Sequence, residues 1–407
     1  MALYWPWAQR PGGAAARAPD SHKAGEPGVT KAAGGFGFVA LHLNGAAAWT
    51  GRDYAGLARH GYMTNPVVHA CVRLVAQTAA AIPWLLYEGV TEHDEHPVLA
   101  MLARPNPRQS GMAFMETLYL HLLMAGNAYV ERIDGGRTAQ LHLLRPDQVD
   151  VETDNAGWPA ALLHRVGATS RRVETASEGA RGLHVRLANP LDDVAGFAPL
   201  EAALTALDTH NAAGAWNKAL LDNSARPSGA LVYAPKEGGN LTPEQFDRLR
   251  EELETGYAGA ARAGRPMLLE GGLDWKAMAL SPKDMDFIEA RNAAARDIAL
   301  AFGVPPMLLG IPGDNTYANY REANRAFYRL TVVPLVTRLA GEFSHWLAPL
   351  HGGRIRLWFD ADQVDGLSGD RDALWERLNA ASFLTVDEKR EAAGYQPLGM
   401  EERTGHV

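Results

Sequence analysis

The densest cluster of chemically capable side chains is the run Glu92 to His96, with the sequence EHDEH. Two imidazoles and three carboxylates within five residues are ligand types that divalent metals bind. The run lies between a predicted strand and a helix that begins at Pro97, where acidic side chains are favourable without any metal. It is therefore either a metal site in a cytosolic α+β enzyme or a solvated turn, and the sequence favours the turn.

A second candidate is a basic stripe formed by Arg321, Arg325 and Arg329. Residues four apart share one face of a helix, so these arginines would lie in a row. The row could touch DNA phosphates, or it could pair with acidic residues of a neighbouring subunit, such as those within Ser281 to Phe302. The net acidic composition of the chain favours the inter-subunit contact.

Motifs for covalent or nucleotide chemistry are missing from the sequence. It has no phosphate-binding loop of the G-x-x-x-x-G-K-[ST] type, no G-x-S-x-G elbow and no H-E-x-x-H helix. Cys71 is the sole cysteine and lies in an apolar helical pattern, which predicts a buried small side chain rather than a reactive thiol. The sequence predicts that the protein is not an enzyme and uses neither a cofactor nor a metal.

Overall charge narrows the function further. The 39 basic and 47 acidic residues of the 407-residue chain leave a net charge of −8, which argues against a protein whose main task is to grip DNA phosphates. The longest uncharged stretch, Ala32 to Gly51, is broken by glycines and predicts no membrane span. With no secretory signal visible, the chain is expected to be cytosolic or to assemble in the cytosol.

The elements that position these residues begin with an α+β region over about residues 60–190. Asn65-Pro66 predicts a helix start, Pro83 its end, and Ser110 caps a second long helix that runs to Ala125. Short β-type segments follow. They are Ala128 to Ile133, Leu141 to Leu144, Val149 to Val151, Ala161 to Val166 and Leu183 to Leu187.

Long helices dominate the second half. Two Ala-rich helices, Pro199 to Asp222 and Ser281 to Phe302, flank a small α/β insert, and Ala-rich surfaces let helices approach closely. A Gly/Pro loop from Gly303 to Asn315 leads to a third helix, about Tyr317 to Leu347, in which Pro334 predicts a kink. Two short helices, Arg371 to Ala380 and Thr385 to Ala393, close the chain.

Taken together, these segments resemble the bacteriophage portal protein family, in the short form found in long-tailed phages, prophages and gene transfer agents. The ordered set covers about residues 60–400. The residues that carry it are TNPVVHACVRLVAQTAAAIP from Thr64, HPVLAMLARPNP from His96, GNAYVER from Gly126, LLRPDQV from Leu143, ARPSGAL from Ala225, LEGGLDWKAMALSPKDMDF from Leu269, IALAFGVPPMLLG from Ile298, TYANYREANRAFYRLTVVPL from Thr316 and FLTVDEKREAAGYQPL from Phe383.

The resemblance implies an α+β portal fold that assembles as a ring. It would comprise an α/β wing, a long-helix stem, a small α/β clip, a kinked tunnel helix and a short helical crown. The implied boundaries are a flexible N-terminal arm over 1–60, wing over 61–198, stem helix over 199–224, clip over 225–280, stem helix over 281–303, tunnel loop over 304–318, wing with kinked helix and strand over 319–368, and crown over 369–407.

By the same resemblance, the ring would be a dodecamer at one capsid vertex, through which double-stranded DNA enters during packaging and later leaves. Implied partners are a large terminase ATPase, a head-tail adaptor and the major capsid protein, and no membrane. The implied location is a virion or phage-like particle assembled in the bacterial cytoplasm. The implied channel residues are Ile311, Gly313, Asp314, Asn315, Thr316 and Tyr317. The rival hypotheses are the metal-dependent α+β enzyme and an ordinary DNA-binding protein.

The loop before Tyr317 leads to a first testable prediction. It carries Asp314 and no Lys or Arg, so it suits steric contact with DNA better than phosphate binding. We expect Asp314→Lys to raise salt-sensitive DNA retention or to impair packaging, as measured by filter binding and by the DNA content of particles. Unchanged packaging together with unchanged DNA affinity would argue against a channel role for the loop.

Overall fold

The computed structural model describes residues 49–135, 139–222, 229–233, 242–245, 247–248, 251, 273–277, 287–312 and 317–395. Within these residues no helix is long and apolar enough to cross a membrane. Predictions for residues 1–48, 281–286, 313–316 and 396–407 lie outside the described residues. The helices are α1 (Pro66–Ala80), α2 (Pro97–Ala103), α3 (Gly111–Ala125), α4 (Leu204–Asp222), α5 (Phe287–Ala301), α6 (Tyr317–Phe327), α7 (Val333–Leu347), α8 (Ser368–Ala380) and α9 (Val386–Ala392).

Eleven strands are found among the described residues, and all of them pair antiparallel. Three sheets have three strands, in the orders β11-β1-β2, β4-β3-β8 and β5-β6-β7, and β9 pairs with β10 in the predicted insert. The strands are β1 (Trp84–Glu88), β2 (Thr91–Glu92), β3 (Asn127–Ile133), β4 (Gln140–Leu144), β5 (Val149–Thr153), β6 (Pro159–Val166), β7 (Thr169–Glu174), β8 (Gly182–Arg186), β9 (Gly229–Tyr233), β10 (Leu273–Ala277) and β11 (Ile355–Phe359).

Helices α1 and α3 form the centre of the main core. As predicted, Asn65 caps α1 and Ser110 caps α3. Helix α3 is buried on most of its circumference because nearly all of its side chains are apolar. It ends at Gly126, whose φ of +68° and whose contact with Gly196 (an added Cβ would lie 2.6 Å from the Gly196 carbonyl carbon) both require glycine.

An ion pair with a buried carboxylate and a partly exposed guanidinium joins two of the sheets. Glu131 on β3 has a side chain only 7% exposed, and its Oε1 accepts a 2.6 Å hydrogen bond from Arg171 on β7. Strand β7 was not predicted, because its sequence TSRRVE is mostly charged and polar. Only Val173 of β7 is buried, and tertiary pairing with β6 rather than an apolar pattern makes this segment a strand.

The flexible arm predicted for residues 1–60 does not extend to residue 60. A short helical turn starts at Tyr54, capped by Asp53, and a π-helical turn covers Leu57–Tyr62. Leu57 is 2% exposed and belongs to the main core. The first predicted stem helix is also interrupted, because a short turn of helix (Pro199–Ala202) ends at Ala203 before α4 begins.

Asn65 connects the core to α4. Its Oδ1 accepts hydrogen bonds from the amides of Val67 (3.0 Å) and Val68 (3.1 Å), while its Nδ2 donates to Nδ1 of His210 (3.0 Å) and to Oδ1 of Asn211 (2.8 Å). Asn65 is 1% exposed, so these bonds are made away from water. One amide therefore caps α1 and also positions α4.

His210 also lies next to α5. Its Nδ1 accepts from Asn65, and its Nε2 lies 3.4 Å from Nε of Arg291 on α5. Burial lowers the pKa of His210, and the neighbouring Arg291 guanidinium lowers that pKa further. A proton on Nδ1 would remove the acceptor for Asn65, so the joint depends on a neutral imidazole.

We expect Asn65→Ala to lower the free energy of unfolding by about 2–4 kcal/mol, because it removes a helix cap and leaves buried polar groups without partners. Urea unfolding of the full-length chain would measure this effect. Asn155→Ala, in an exposed turn, is the control and should change stability by less than about 0.5 kcal/mol. A loss of the same small size at Asn65 would contradict the role of the joint.

His121 on α3 predicts a pH dependence of stability. The residue is 6% exposed, and burial lowers its pKa to about 4, whereas the unfolded value is about 6.5. The unfolded state therefore binds the proton first, so stability is lost as the pH falls from about 6.5 to about 4, by about 3 kcal/mol for this group.

Replacing His121 with Leu should reduce the slope of the stability profile in this pH window, to which His184 also contributes, as measured by urea unfolding at several pH values. His60→Leu, at an exposed position, is the matched control and should leave the slope as it is in the wild type. An unchanged slope for His121→Leu would mean that His121 does not take up the proton on unfolding.

Candidate channel and subunit-contact surfaces

The side chains of the Glu92 to His96 run do not converge on one point, which disfavours the metal-site hypothesis. Glu92 lies on β2 and accepts a 2.8 Å hydrogen bond from the Tyr87 hydroxyl. His96 is the N-cap of α2, where its Nδ1 accepts from the amide of Val98 at 3.2 Å. No group of three His, Cys, Asp or Glu residues within the described ranges could hold a metal ion. Because Glu92 lies in a strand and His96 caps a helix, their side chains bind different partners and do not converge.

Two histidines of the run instead lie beside a third, His351, from the 3-10 turn Ala348–His351 that follows α7. The rings of His93 and His96 are 6.3 Å apart, and those of His96 and His351 are 5.1 Å apart. Partial burial lowers the pKa of His96, and the two neighbouring imidazoles lower that pKa further. A neutral His96 keeps the lone pair that caps α2, so the cluster has a structural role in the fold.

Cys71 has the structural role predicted for it. It is fully buried in α1, and burial raises the pKa of its thiol to about 12. At neutral pH the thiol is protonated and shielded from solvent, so it is a poor nucleophile.

The three arginines of the basic stripe lie among the described residues, and they differ in solvent exposure. Arg321 on α6 and Arg329 beyond it are exposed, whereas Arg325 is partly buried, with a guanidinium nitrogen 3.8 Å from the Glu322 carboxylate. A π-helical turn begins at Tyr328, between Arg325 and Arg329. Because a π turn holds an extra residue, four-residue spacing no longer keeps Arg329 in line with the other two.

The π turn, Tyr328–Val332, ends two residues before Pro334, where the sequence predicts a kink. In an α-helix the Leu330 carbonyl would accept from residue 334, but proline has no amide hydrogen. The Val333 amide instead donates to the Tyr328 carbonyl, five residues back. The chain thus accommodates proline by widening one turn of the helix.

Helix α5 meets this widened turn at its own C-terminal end. Gly303 has a φ of +65°, and its carbonyl accepts a 2.6 Å hydrogen bond from Oγ1 of Thr331. A Cβ at Gly303 would lie 2.6 Å from the Oγ1 atom of Thr331. The junction therefore requires glycine, and it couples the end of α5 to the π turn.

The predicted channel loop is described only at its two ends. Ile311 is 8% exposed. The Pro312 carbonyl accepts a 2.5 Å hydrogen bond from Arg296 on α5. Tyr317 is the first residue of α6. Gly313, Asp314, Asn315 and Thr316 lie outside the described residues.

Helices α4 and α5 pack side by side through small residues, as their Ala-rich sequences predict. One flank of the pair carries a groove of about 530 Å³. Leu300 on that flank is 78% exposed, and Ile288, near the start of α5, is 71% exposed. The groove is lined by Ala202, Ala203, Thr205, Ala206, Thr209, Ala290, Ala293, Ala294, Asp297, Leu300 and Ala301.

Sequence reasoning did not identify this groove or the Gly303–Thr331 junction. The alanine content of both helices was the available signal for the groove, but it does not say which flank stays open. An exposed apolar strip on a helix pair is a surface suited to packing against another protein chain.

Comparisons with known proteins agree with this architecture. An uncharacterized protein of Rickettsia bellii (strain RML369-C) is 39% identical over 336 residues, covering 82% of this chain and 87% of that protein. The probable portal protein of Streptomyces phage phiC31 is 27% identical over 367 residues, which cover 87% of this chain and 79% of that protein.

Among solved structures, a chain in the neck of a native gene transfer agent (GTA) particle, computed with C12 symmetry, is 48% identical. It aligns with a TM-score of 0.67 over 87% of this chain and 97% of its own length. The profile for phage portal proteins matches residues 66–394, which is well over half of the sequence. On this evidence the chain belongs to the phage portal protein family.

Proposed function

We propose that copies of this chain form the portal ring of a phage-like particle, a conduit for DNA at one capsid vertex. The observation that carries the proposal is the 48% identity, over 87% of this chain, to a protein in the neck of a gene transfer agent particle. Identity of that extent supports a shared place in the particle as well as a shared fold. The neck was computed with C12 symmetry, which supports a ring of identical subunits.

The charge of the chain suits a conduit. If twelve copies assemble, 12 × −8 gives a formal charge of −96. An acidic assembly repels phosphates, so DNA can slide through it without strong binding sites. The hypothesis of a metal-dependent enzyme is disfavoured because the described residues contain no cluster that could hold the metal. The net negative charge disfavours the hypothesis of an ordinary DNA-binding protein.

The groove flank of the α4–α5 pair is proposed to face the adjacent subunit. In that contact the side chains of Leu300 and Ile288 would be buried from water. The exposed Asp297 would lie where basic groups of the neighbour could pair with it. Arg321 and Arg329 are the proposed source of those basic groups. Assembly in the bacterial cytoplasm, packaging by a terminase ATPase, and contacts with an adaptor and the major capsid protein complete the proposal.

Mass photometry and electron microscopy test the ring. A dodecamer of 44.0 kDa chains has a mass of about 528 kDa and should appear as a ring with a central hole. Antibody labelling of purified particles should find the chain at one vertex. Particles that package DNA without the chain, or that carry it over the whole shell, would contradict the proposal.

Leu300→Glu tests the subunit contact. A carboxylate in the contact would lose its water without gaining a partner, so we expect at least a tenfold shift from rings to single chains in mass photometry. Because Leu300 is exposed in the single chain, the unfolding midpoint of the single chain should not change. Leu191→Glu, at a loop position that is 95% exposed, is the matched control. Equal ring yields for both variants would place the contact elsewhere.

A further inference from the structure

The joint formed by Asn65, His210 and Asn211 fixes the direction of its own hydrogen bonds. The Oδ1 atom of Asn65 accepts from the amides of Val67 and Val68, so the two hydrogens on its Nδ2 point towards α4. One is donated to Oδ1 of Asn211 (2.8 Å) and the other to Nδ1 of His210 (3.0 Å). Nδ1 of His210 must therefore accept a hydrogen bond, which it does only without a proton.

The other ring nitrogen of His210 also faces a donor. When Nδ1 accepts, the single proton of the neutral ring lies on Nε2, and Nε of Arg291, which always carries a hydrogen, lies 3.4 Å from that atom. A second proton on the ring would set N–H groups against the N–H groups of Asn65 and Arg291. Because His210 is only 5% exposed, little water is available to accept these hydrogens.

The charges around His210 also oppose a second proton. Burial lowers the pKa of His210, and the guanidinium of Arg291 lowers that pKa further. No carboxylate among the described residues contributes to this pKa. Asp208 on the same helix instead accepts from the amide and the hydroxyl of Thr50, at 3.2 and 2.5 Å.

The elements next to α4 do not supply a compensating negative charge. The π-helical turn before α1 contributes the backbone carbonyl of His60, which accepts a 3.0 Å hydrogen bond from Nδ2 of Asn211. The side chains of Arg59 and His60 on that turn and of His69 on α1 are exposed, and none of them carries a negative charge. A proton on His210 is thus uncompensated as long as the joint is closed.

We propose that His210 is a proton-sensitive contact that releases α4 from the start of α1 when its imidazole takes up a proton. An exposed histidine binds a proton at about pH 6.5, whereas the closed joint resists the proton, so the joint weakens as the pH falls below about 6.5. Because α4 forms one wall of the groove described above, acid would loosen that surface. The inference concerns the single chain and does not depend on the proposed portal function.

Hydrogen exchange of the full-length protein tests this inference on single chains, with rates corrected for the intrinsic exchange rate at each pH. Protection is compared at about pH 7.5 and about pH 5.5 in peptides that cover residues 65–72 of α1 and 204–213 of α4. We expect the release of His210 to lower protection by about three- to tenfold, since one histidine shifts an equilibrium by at most about tenfold over one pH unit. At the lower pH these peptides should exchange at least tenfold faster than peptides of the buried helix α3, which report unfolding of the whole chain.

A matched set of variants assigns the proton to His210. His210→Asn places an amide oxygen near the position of Nδ1 and does not titrate, so its loss of protection at low pH should be at least threefold smaller than in the wild type. His345→Asn, at an exposed position of α7, is the control and should respond to pH as the wild type does. Arg291→Met removes the charge that opposes the proton, so it should also reduce the response, and it tests the inference if His210→Asn does not fold.

Two results would overturn the inference. An equal response to pH in the wild type, His210→Asn and Arg291→Met would mean that His210 does not control the joint. Exchange of the joint peptides as slow as that of α3 at about pH 5.5 would mean that α4 and α1 separate only when the whole chain unfolds. Neither result bears on the portal function, which the ring and particle experiments test separately.

Discussion

The side-chain amide of Asn65 is the constraint on which the layout of the molecule depends. Its oxygen completes the start of α1, and its nitrogen holds His210 and Asn211 of α4. A shorter side chain could not reach both helices, and a carboxylate would have no hydrogen to donate to His210. Arg291 of α5 lies on the far side of His210, with its Nε 3.4 Å from Nε2 of that ring. The placement of α4 against the core thus depends on one buried residue.

Much of the fold follows from local sequence signals. The starts of α1 and α3 were predicted from Asn65 and Ser110, because a cap depends on side chains close in sequence. Strand β4 was predicted as Leu141 to Leu144, one residue shorter than its observed bounds, Gln140–Leu144. Strand β7 could not be predicted in this way, because its pairing with β6 and the bond from Arg171 to Glu131 come from residues distant in sequence.

The candidate sites show the same division. The buried state of Cys71 could be predicted from the periodicity of one helix. The EHDEH run was ambiguous because composition does not show which way each side chain points. Glu92 in a strand and His96 at a helix cap form hydrogen bonds with different partners. The Arg stripe was predicted as a regular row because helical spacing was assumed to be uniform. Pro334 predicted a disturbance of the helix, but the sequence alone did not indicate that it would take the form of an extra residue in the preceding turn.

The extra residue in the π turn gives the helical segments before and after it different rotations about the helix axis. The π turn at Tyr328–Val332 rotates α6 relative to α7 by about 100° compared with an uninterrupted α-helix, which is the angle that one residue subtends. Loss of a single codon there would swing the face that carries Arg321 about the helix axis and leave the packing of α7 on β11 in place. The surface that α6 presents can therefore be redirected in evolution by one insertion or deletion, without any change to the residues that form it.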